Sequence, residues 1–193
     1  MLPSIILASQ SPRRRELLAI AGIPFAVRAR TVNEVRAPGE SPEAYVRRLA
    51  RAKAEAAREA ASEIVLGADT VVVLDGAVLE KPRDGADAQA MLRRLSAREH
   101  VVITGICLLH ARETIVESET TRVRFASLNA SEIAEYVASG EPMDKAGAYA
   151  IQGLASKFVE RIDGCYFNVM GLPLALVYRH LKRLRAVRQD KPG

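Results

Sequence analysis

The strongest constraint on the fold is the apolar stretch Ile64–Leu74, which is interrupted by one acidic residue, Asp69. Such a run predicts a strand, and Asp75-Gly76 directly after it predicts a turn into a short second strand, Ala77–Leu79. A carboxylate in so apolar a strand is costly unless it binds a metal, pairs with a cation or has a raised pKa. The two small residues before it leave room for a ligand. Asp69 is therefore the strongest candidate for a functional residue.

The remaining strands and helices alternate along the chain without a strict repeat. Further predicted strands are Ile5–Ala8, Val101–His110, Thr114–Phe125, Phe158–Ile162 and Tyr166–Met170. Helices are predicted to follow the capping residues Ser11, Ser41, Asp84 and Asn129, and a last helix spans Leu172–Ala186. Asn129 and Glu132 form a capping-box pattern, and the helix that they begin is predicted to end at Gly140. This alternation predicts an α/β or α+β layer structure with a mixed sheet. Since no low-complexity linker interrupts it, we expect a single domain over residues 1–193, with a basic tail at about 183–193.

The basicity of the chain is confined to its C-terminal end. The formal net charge is +5, and from Arg179 onward six Lys or Arg stand against one Asp, so residues 1–178 sum to zero. There is no tryptophan, and the five tyrosines and four phenylalanines are too few for a row of base-stacking platforms. We therefore expect a solvated helix end and no nucleic-acid partner.

The cysteines and the hydropathy pattern indicate in which cellular compartment the protein is expected. Cys107 and Cys165 stand alone, without Cys or His at metal-ligand spacing, which argues against a disulfide scaffold or a structural zinc site and fits a reducing compartment. No apolar run approaches the ~20 residues needed to span a membrane. The N-terminal apolar stretch lacks the basic residues that begin a signal peptide. We expect a cytoplasmic protein without membrane contact.

Two groups of cations stand where local rules disfavour them. Arg13, Arg14 and Arg15 lie in the first turn of a predicted helix, where the dipole disfavours each cation by about 0.3–1 kcal/mol. Either a bound anion collects their guanidinium groups and the free N–H groups of the turn, or all three are solvated. Lys53 falls on the apolar face of the next predicted helix, where its charge either snorkels to solvent or meets an anionic partner.

The segment Lys145–Gly153 combines five small residues with one Lys, one Tyr, one Ile and one Gln. Small residues make a poor core and a good lining for a flat ligand, and the alternative is a plain glycine-rich loop.

The segments that carry these features, in their order along the chain, resemble the Maf family of nucleotide pyrophosphatases. The matching motifs are Ser9–Arg14, Val32–Glu34, Arg51–Ala54, Gly67–Val72, Glu80–Pro82, Thr104–Gly105, Lys145–Gly153 and Asn168–Pro173. The resemblance covers residues 4–182, with Gln10 where Gly is frequent and Cys165 where Ser is frequent.

The resemblance implies an α/β fold with a twisted mixed sheet flanked by helices and a cleft between two lobes, similar to inosine triphosphate pyrophosphatases. It implies house-cleaning hydrolysis of nucleoside triphosphates between the α- and β-phosphates, to nucleoside monophosphate and pyrophosphate. The sequence of residues 145–153 resembles the branch that prefers dTTP and UTP, including modified pyrimidine nucleotides. The alternatives are 7-methyl-GTP pyrophosphatase activity and a nucleic-acid-binding or septum-regulating role. The resemblance is also compatible with a homodimer.

The resemblance further implies a set of site residues. Asp69 is the proton acceptor that activates water, and Glu34 and Asp69 are the candidates to hold a divalent cation, Mg²⁺ or Mn²⁺. Whether Asp69 is also a metal ligand stays open. The implied substrate-binding residues are Ser9, Arg13, Arg14, Lys53, Thr70, Lys81 and Gln152. Of these, Arg13, Thr70 and Gln152 match the positions that the family uses for substrate choice, and the Gln152 amide offers a donor and an acceptor to the imide edge of uracil or thymine.

Overall fold

The computed structural model describes residues 2–189, with side chains as far as Leu184. Within that range the strands are β1 Ile5–Leu7, β2 Phe25–Val27, β3 Ile64–Leu74, β4 Ala77–Leu79, β5 Glu99–His110, β6 Glu113–Phe125 and β7 Val159–Asp163. The α-helices are α1 Pro12–Ile20, α2 Pro42–Ala57, α3 Gly85–Leu95, α4 Ala130–Ala138, α5 Tyr166–Met170 and α6 Leu174–Gln189. Three 3₁₀ helices span Glu141–Asp144, Ala146–Ala148 and Leu154–Phe158.

The described strands form a seven-stranded mixed sheet. Its order is β2-β1-β3-β5-β6-β7, and β4 pairs with β3. β1 runs parallel to both β2 and β3, with Leu7 opposite Leu66, whereas the β3–β4 and β6–β7 pairs are antiparallel. The predicted α/β class with a mixed sheet flanked by helices is confirmed.

The chain divides into two compact units, and β3, β5 and β6 contribute residues to both. Unit 1 comprises the residues up to Asp69, Thr104–Glu119 and those from Gly171 onward. Unit 2 comprises Thr70–Ile103 and Thr120–Met170. Asp69 and Thr70, both predicted to be functional, are therefore consecutive residues that belong to different units.

In unit 1, the alanine-rich face of α2 packs on β3 and β5. The buried residues of α2 are Tyr45, Val46, Leu49, Ala50, Ala54 and Ala57. Two strand glycines permit a close approach: a Cβ at Gly67 would lie 2.0 Å from the Ala50 carbonyl oxygen, and one at Gly105 would lie 2.5 Å from the Val46 carbonyl oxygen. Non-bonded carbon and oxygen atoms cannot come so close. The absence of a side chain at these two strand positions is therefore what lets α2 pack at this distance from the sheet.

In unit 2, four of the nine aromatic residues form one cluster: Phe125, Tyr136, Tyr149 and Phe158. The rings of Phe125 and Tyr149 meet edge to face with centroids 4.8 Å apart, a favourable arrangement. The His100 Nε2 atom lies 2.8 Å from the Tyr149 hydroxyl. Burial lowers the pKa of His100 to about 4, so this ring stays neutral at physiological pH.

Several predicted elements match the structure closely, and others do not. β3 and β4 have the predicted bounds, and the predicted capping box of Asn129 and Glu132 is present. The strand predicted at Tyr166–Met170 is wrong, because those residues form α5. There the buried Asn168 amide donates to the Val102 carbonyl oxygen (3.0 Å) and to Thr121 Oγ1 (2.9 Å), and such tertiary bonds override the strand preference of aromatic and β-branched residues. The three-residue β2 was not predicted.

The C-terminal end lies partly outside the described residues. Backbone helix continues to Gln189, but the predicted basic tail at about 183–193 falls mostly beyond the last described side chain. Across residues 2–189, none of the helices has the length and apolar character required to cross a bilayer.

Candidate active site

Asp69 meets a cation in the middle of β3. The Lys53 ammonium, on α2, donates to Asp69 Oδ1 at 2.6 Å and stands 2.7 Å from Glu34 Oε1. The Lys53 and Asp69 side chains are only 15% and 12% exposed. We call Lys53, Glu34 and Asp69 the Lys53 cluster. Pairing with a cation is one of the ways in which a protein tolerates a carboxylate in such a strand, and Lys53 meets anionic partners instead of reaching into solvent.

The second carboxylate of the Lys53 cluster comes from an irregular, exposed segment that α2 holds by its backbone. The Tyr45 hydroxyl donates to the Glu34 carbonyl oxygen, and Arg48 Nη2 donates to the Val35 carbonyl oxygen at 3.0 Å. Asn33 Oδ1 accepts a hydrogen bond from the Val35 N–H at 3.0 Å. Helix α2 therefore presents Lys53 and also fixes the segment that carries Glu34.

The three arginines at the start of α1 have different environments. Arg14 is buried, Arg13 is half-buried and Arg15 is exposed. Arg14 Nη1 donates to Ser9 Oγ (3.0 Å) and to the Ala68 carbonyl oxygen (2.9 Å), and its Nε donates to the Gly171 carbonyl oxygen (2.8 Å). Burial lowers the pKa of Arg14, and the charge of Asp69 opposes that shift.

These bonds fix the turn between β1 and α1 against β3 beside Asp69. Ser11 occupies the predicted N-cap position with Pro12 first in the helix, but its side chain makes no capping hydrogen bond. Its N–H donates instead to Ser9 Oγ at 3.2 Å. Ser9 Oγ thus contacts both the backbone of the turn and the Arg14 guanidinium.

The other predicted substrate-binding residues, Thr70, Lys81 and Gln152, belong to unit 2. Thr70 is half-buried in β3, Lys81 is exposed just after β4, and Gln152 is exposed in the segment between two 3₁₀ helices. Within unit 1 the structure therefore forms two groups, Arg14 with Ser9 and Lys53 with Glu34 and Asp69. The bond from Arg14 to the carbonyl oxygen of Ala68, the residue before Asp69, links the first group to the backbone of the second.

The segment around Lys145–Gly153 packs more tightly than its small residues suggested. Gly147 has a φ of 68°, and a Cβ there would lie 2.8 Å from Val72 Cγ2. Ala148 also has a positive φ, 59°, although it is fully buried, a conformation that costs of order 1 kcal/mol in a residue other than glycine. The expectation of a poor core is wrong for residues 148–151, which are buried, whereas Gln152 is exposed.

Two residues that sequence patterns did not single out contact this segment. The Tyr136 hydroxyl accepts a hydrogen bond from the Ala150 N–H (3.2 Å) and donates to Glu141 Oε1 (2.8 Å). Glu141 Oε2 accepts a hydrogen bond from the Leu154 N–H at 3.1 Å. The sequence held one signal for this contact, Gly153, but it did not show which residue required the missing side chain.

The Lys53 cluster also offers oxygen donors for a metal ion. Among the described residues, no group of three or more His, Cys, Asp or Glu side chains is arranged to hold one. Glu34 and Asp69 provide two carboxylates, and Mg²⁺ is commonly bound by one or two carboxylates together with substrate phosphates and water. The pair therefore fits a divalent cation that binds together with a phosphate ligand.

Comparisons with known proteins cover nearly the whole chain. The family model described as Maf-like protein matches residues 4–184. A dTTP/UTP pyrophosphatase of Koribacter versatilis is 54% identical over 180 residues, which cover 93% of each chain. The dTTP/UTP pyrophosphatase of Escherichia coli O157:H7 is 49% identical over 192 residues, which cover 98% of each. Among solved structures, the Staphylococcus aureus Ham1 protein aligns with a TM-score of 0.48 and 17% identity, over 81% of this chain and 91% of that one.

Proposed function

This chain belongs to the Maf family, and we propose that it hydrolyses nucleoside triphosphates, preferably dTTP and UTP, to nucleoside monophosphate and pyrophosphate. It is an enzyme of the pyrophosphatase type, about half identical to relatives that carry the name dTTP/UTP pyrophosphatase. Modified pyrimidine nucleotides share the triphosphate and can keep the same imide edge. Removing them from the nucleotide pool fits this activity.

The observation that carries the proposal is the Lys53 cluster, in which one ammonium holds two carboxylates. Cleavage of a phosphoanhydride requires neutralisation of charge on the phosphates, an activated water and stabilisation of the leaving group. The cluster contains a cation for the phosphates, a carboxylate that can accept a proton and oxygen donors for a metal ion. This set of groups is suited to hydrolysis of a phosphoanhydride.

Asp69 is the proposed proton acceptor. Water adds across the bond that joins the α-phosphate to the β-phosphate: its oxygen remains on phosphorus, its proton passes to the Asp69 carboxylate, and the bridging bond breaks to release pyrophosphate. Lys53 offsets the cost of keeping this carboxylate in an apolar strand before substrate arrives. Asp69 then returns the proton to solvent.

Glu34 and Asp69 are the residues proposed to hold Mg²⁺ or Mn²⁺. When bound, the cation polarises the phosphate oxygens and lowers the pKa of its water. With the carboxylate charge balanced in this way, Lys53 would exchange its carboxylate partners for phosphate oxygens. Glu34 is suited to such an exchange because its side chain is 56% exposed and can change partners at low cost.

The remaining cations and Ser9 are proposed to bind the triphosphate. Arg13 is half-buried beside the turn, and Lys81 is exposed in unit 2. Arg14 donates two of its nitrogens to backbone carbonyl groups, so we assign it chiefly to holding the turn that carries Ser9 and Arg13. An arginine already bonded in this way orders the anion-binding N–H groups of the helix start without a further loss of side-chain entropy.

Base selection is proposed to depend on Gln152, with Thr70 and Arg13 as the other residues of choice. The Gln152 amide can donate to a carbonyl oxygen of uracil or thymine and accept from its N3–H. A site built to hydrogen-bond a particular edge rejects bases that leave its polar groups unpaired.

The proposed compartment is the cytoplasm. The two free thiols, Cys107 and Cys165, fit a reducing compartment of this kind.

A nucleotide panel tests the proposal. Pyrophosphate release would be measured for dTTP, UTP, dGTP, ATP and 7-methyl-GTP with Mg²⁺ or Mn²⁺, and again after chelation. We expect the highest kcat/KM for dTTP and UTP and no turnover after chelation. A preference for 7-methyl-GTP would favour the alternative 7-methyl-GTP pyrophosphatase activity, and the absence of pyrophosphate from every nucleotide would overturn the assignment. Salt-dependent binding of DNA, measured in parallel, would instead favour the nucleic-acid role.

A further inference from the structure

We infer that Glu141 and Tyr136 are positioning residues, which set the pyrimidine preference by fixing the turn that carries Gln152. The inference rests on the proposed role of Gln152 in base selection. It concerns side chains that belong to unit 2 and lie outside the Lys53 cluster.

Gln152 lies in a closed turn. The Gly153 N–H donates to the Ala150 carbonyl oxygen at 3.0 Å, which closes a four-residue turn with Ile151 and Gln152 at its centre. We call residues 150–153 the Gln152 turn. Ile151 is buried and Gln152 is exposed, so the orientation of the turn backbone sets where the Gln152 side chain begins and the direction in which it leaves the backbone.

The Glu141 carboxylate holds the Gln152 turn on both sides, directly at Leu154 just after it and through Tyr136 at Ala150. At the far end, Oε2 accepts the hydrogen bond from the Leu154 N–H at 3.1 Å. At the near end, Oε1 accepts from the Tyr136 hydroxyl at 2.8 Å, and that hydroxyl accepts the Ala150 N–H at 3.2 Å. One carboxylate therefore fixes the backbone before and after Gln152, and hydrogen bonds to a charged acceptor are stronger than neutral ones.

Gly153 provides independent support for this contact. A Cβ at Gly153 would lie 2.2 Å from Glu141 Oε2 and 2.6 Å from Cδ. The φ of Gly153 is negative, −103°, so no left-handed backbone calls for glycine here, whereas any added side chain would displace the Glu141 carboxylate from its present position. The turn backbone thus packs directly against the carboxylate.

Tyr136, one of the two supporting side chains, is held by close packing. Tyr136 is 2% exposed, and its ring meets Phe158 edge to face with centroids 5.5 Å apart. Burial and the bond to Glu141 both raise the pKa of Tyr136 well above its usual range, so its hydroxyl keeps the proton that it donates. Gln152 is proposed to make two hydrogen bonds to the edge of the base. Support of this kind for the turn backbone favours them, because a small rotation of the turn would misplace both.

The experiment separates positioning from a merely structural role. Tyr136→Phe removes the hydroxyl and keeps the ring, and Glu141→Gln keeps the shape and removes one acceptor. For each variant, kcat/KM is measured for dTTP, UTP and dGTP. We expect the pyrimidine-to-dGTP ratio to fall about two- to tenfold, the range of a net hydrogen bond. Glu135→Gln, an exposed neighbour on α4, is the matched control and should leave the ratio unchanged.

The same substitutions are then repeated in the Gln152→Ala background. Because positioning acts through Gln152, neither should change the ratio further there. An unchanged ratio in the single variants, or an equal fall in both backgrounds, would overturn the inference and leave only a structural role.

Hydrogen exchange at the Ala150 and Leu154 amides distinguishes failure of the inference from failure of the proposed function. If the wild-type protein releases no pyrophosphate, the proposed function fails, whatever the exchange rates are. Faster exchange at these two amides in both variants supports the hold on the turn. Exchange as slow as in the wild-type protein overturns it.

Discussion

The Lys53 cluster and the Gln152 turn hold their functional groups by different means. In the cluster, the Lys53 side chain contacts two carboxylates directly, and the Lys53 and Asp69 side chains are largely withdrawn from water. In the Gln152 turn, the side chain proposed to select the base is neutral and exposed, and the protein holds the backbone on either side of it. One region is organised by charge, and the other by the shape of a short backbone segment.

The difference follows from what each region is proposed to recognise. A triphosphate is recognised by charge, which tolerates small displacements because electrostatic attraction falls off gradually with distance. A base edge is recognised by hydrogen bonds, which weaken steeply when their angle changes. We therefore expect substitutions in the cluster to change rate and stability, and substitutions around the turn to change preference.

The largest expected effect is the loss of turnover in Asp69→Asn. Removing the proton acceptor should lower kcat about 10²–10⁴-fold, while the protein stays folded and still binds nucleotide, because an amide oxygen can still accept from Lys53. Pyrophosphate release and calorimetric titration measure the two parts. Asp75→Asn, an exposed aspartate at the end of the same hairpin, is the control. If Asp69→Asn kept an activity close to that of the wild-type protein, the Lys53 cluster would not take part in the reaction.

The next effect concerns the neutral interior of unit 2. Because burial holds the pKa of His100 at about 4, only the unfolded chain binds its proton between pH 6.5 and 4. Stability should be unaffected by this group above pH 6.5 and fall by about 3 kcal/mol as the pH drops to 4. Denaturant titrations of wild type and His100→Gln test this, since the variant should lose correspondingly less over that interval. Equal losses would mean that His100 is accessible to protons.

Lys53→Met tests whether charge holds the cluster together. The substitution leaves Asp69 in an apolar strand without its cation, so the free energy of unfolding should fall by about 2–3 kcal/mol. Arg51→Met, on the exposed face of the same helix, should change it by less than about 0.5 kcal/mol. Adding Asp69→Asn to Lys53→Met should recover part of the loss. Additive losses would show that the pair does not interact energetically.

The smallest effect is expected from Gln152→Ala. The pyrimidine preference should fall about two- to tenfold, with stability and overall nucleotide binding nearly unchanged, because the lost bonds are exposed and net hydrogen-bond energies are small. The measurement is the rank order of kcat/KM over the nucleotide panel. An unchanged rank order would show that the Gln152 turn does not select the base, and the proposed difference between it and the Lys53 cluster would be wrong.

The sequence located the residues that break local rules. Asp69 in an apolar strand and Lys53 on an apolar helix face were both identifiable from their immediate neighbours. Their pairing was not, because it depends on how closely α2 approaches β3. The same limit applies to the arginines, whose sequence pattern is alike: Arg14 is distinguished by carbonyl groups 54 and 157 residues away.

The Gln152 turn was the harder part to predict. Its small residues suggested an open lining, but the burial of residues 148–151 depends on an aromatic cluster contributed by several elements. Glu141 follows the predicted end of a helix and violates no local rule, so nothing in its neighbourhood marked its carboxylate. Residues that act by holding backbone are visible only when the backbone they hold is known.

The two strand glycines have a consequence for how this sequence can change. Replacing glycine by alanine is a common route to a more rigid chain, but at Gly67 the added methyl would meet the Ala50 carbonyl oxygen, and at Gly105 that of Val46. Either methyl would lift α2, and Lys53 would move with it. The distance between the proposed catalytic carboxylate and its counter-ion is thus inherited through two positions that carry no side chain.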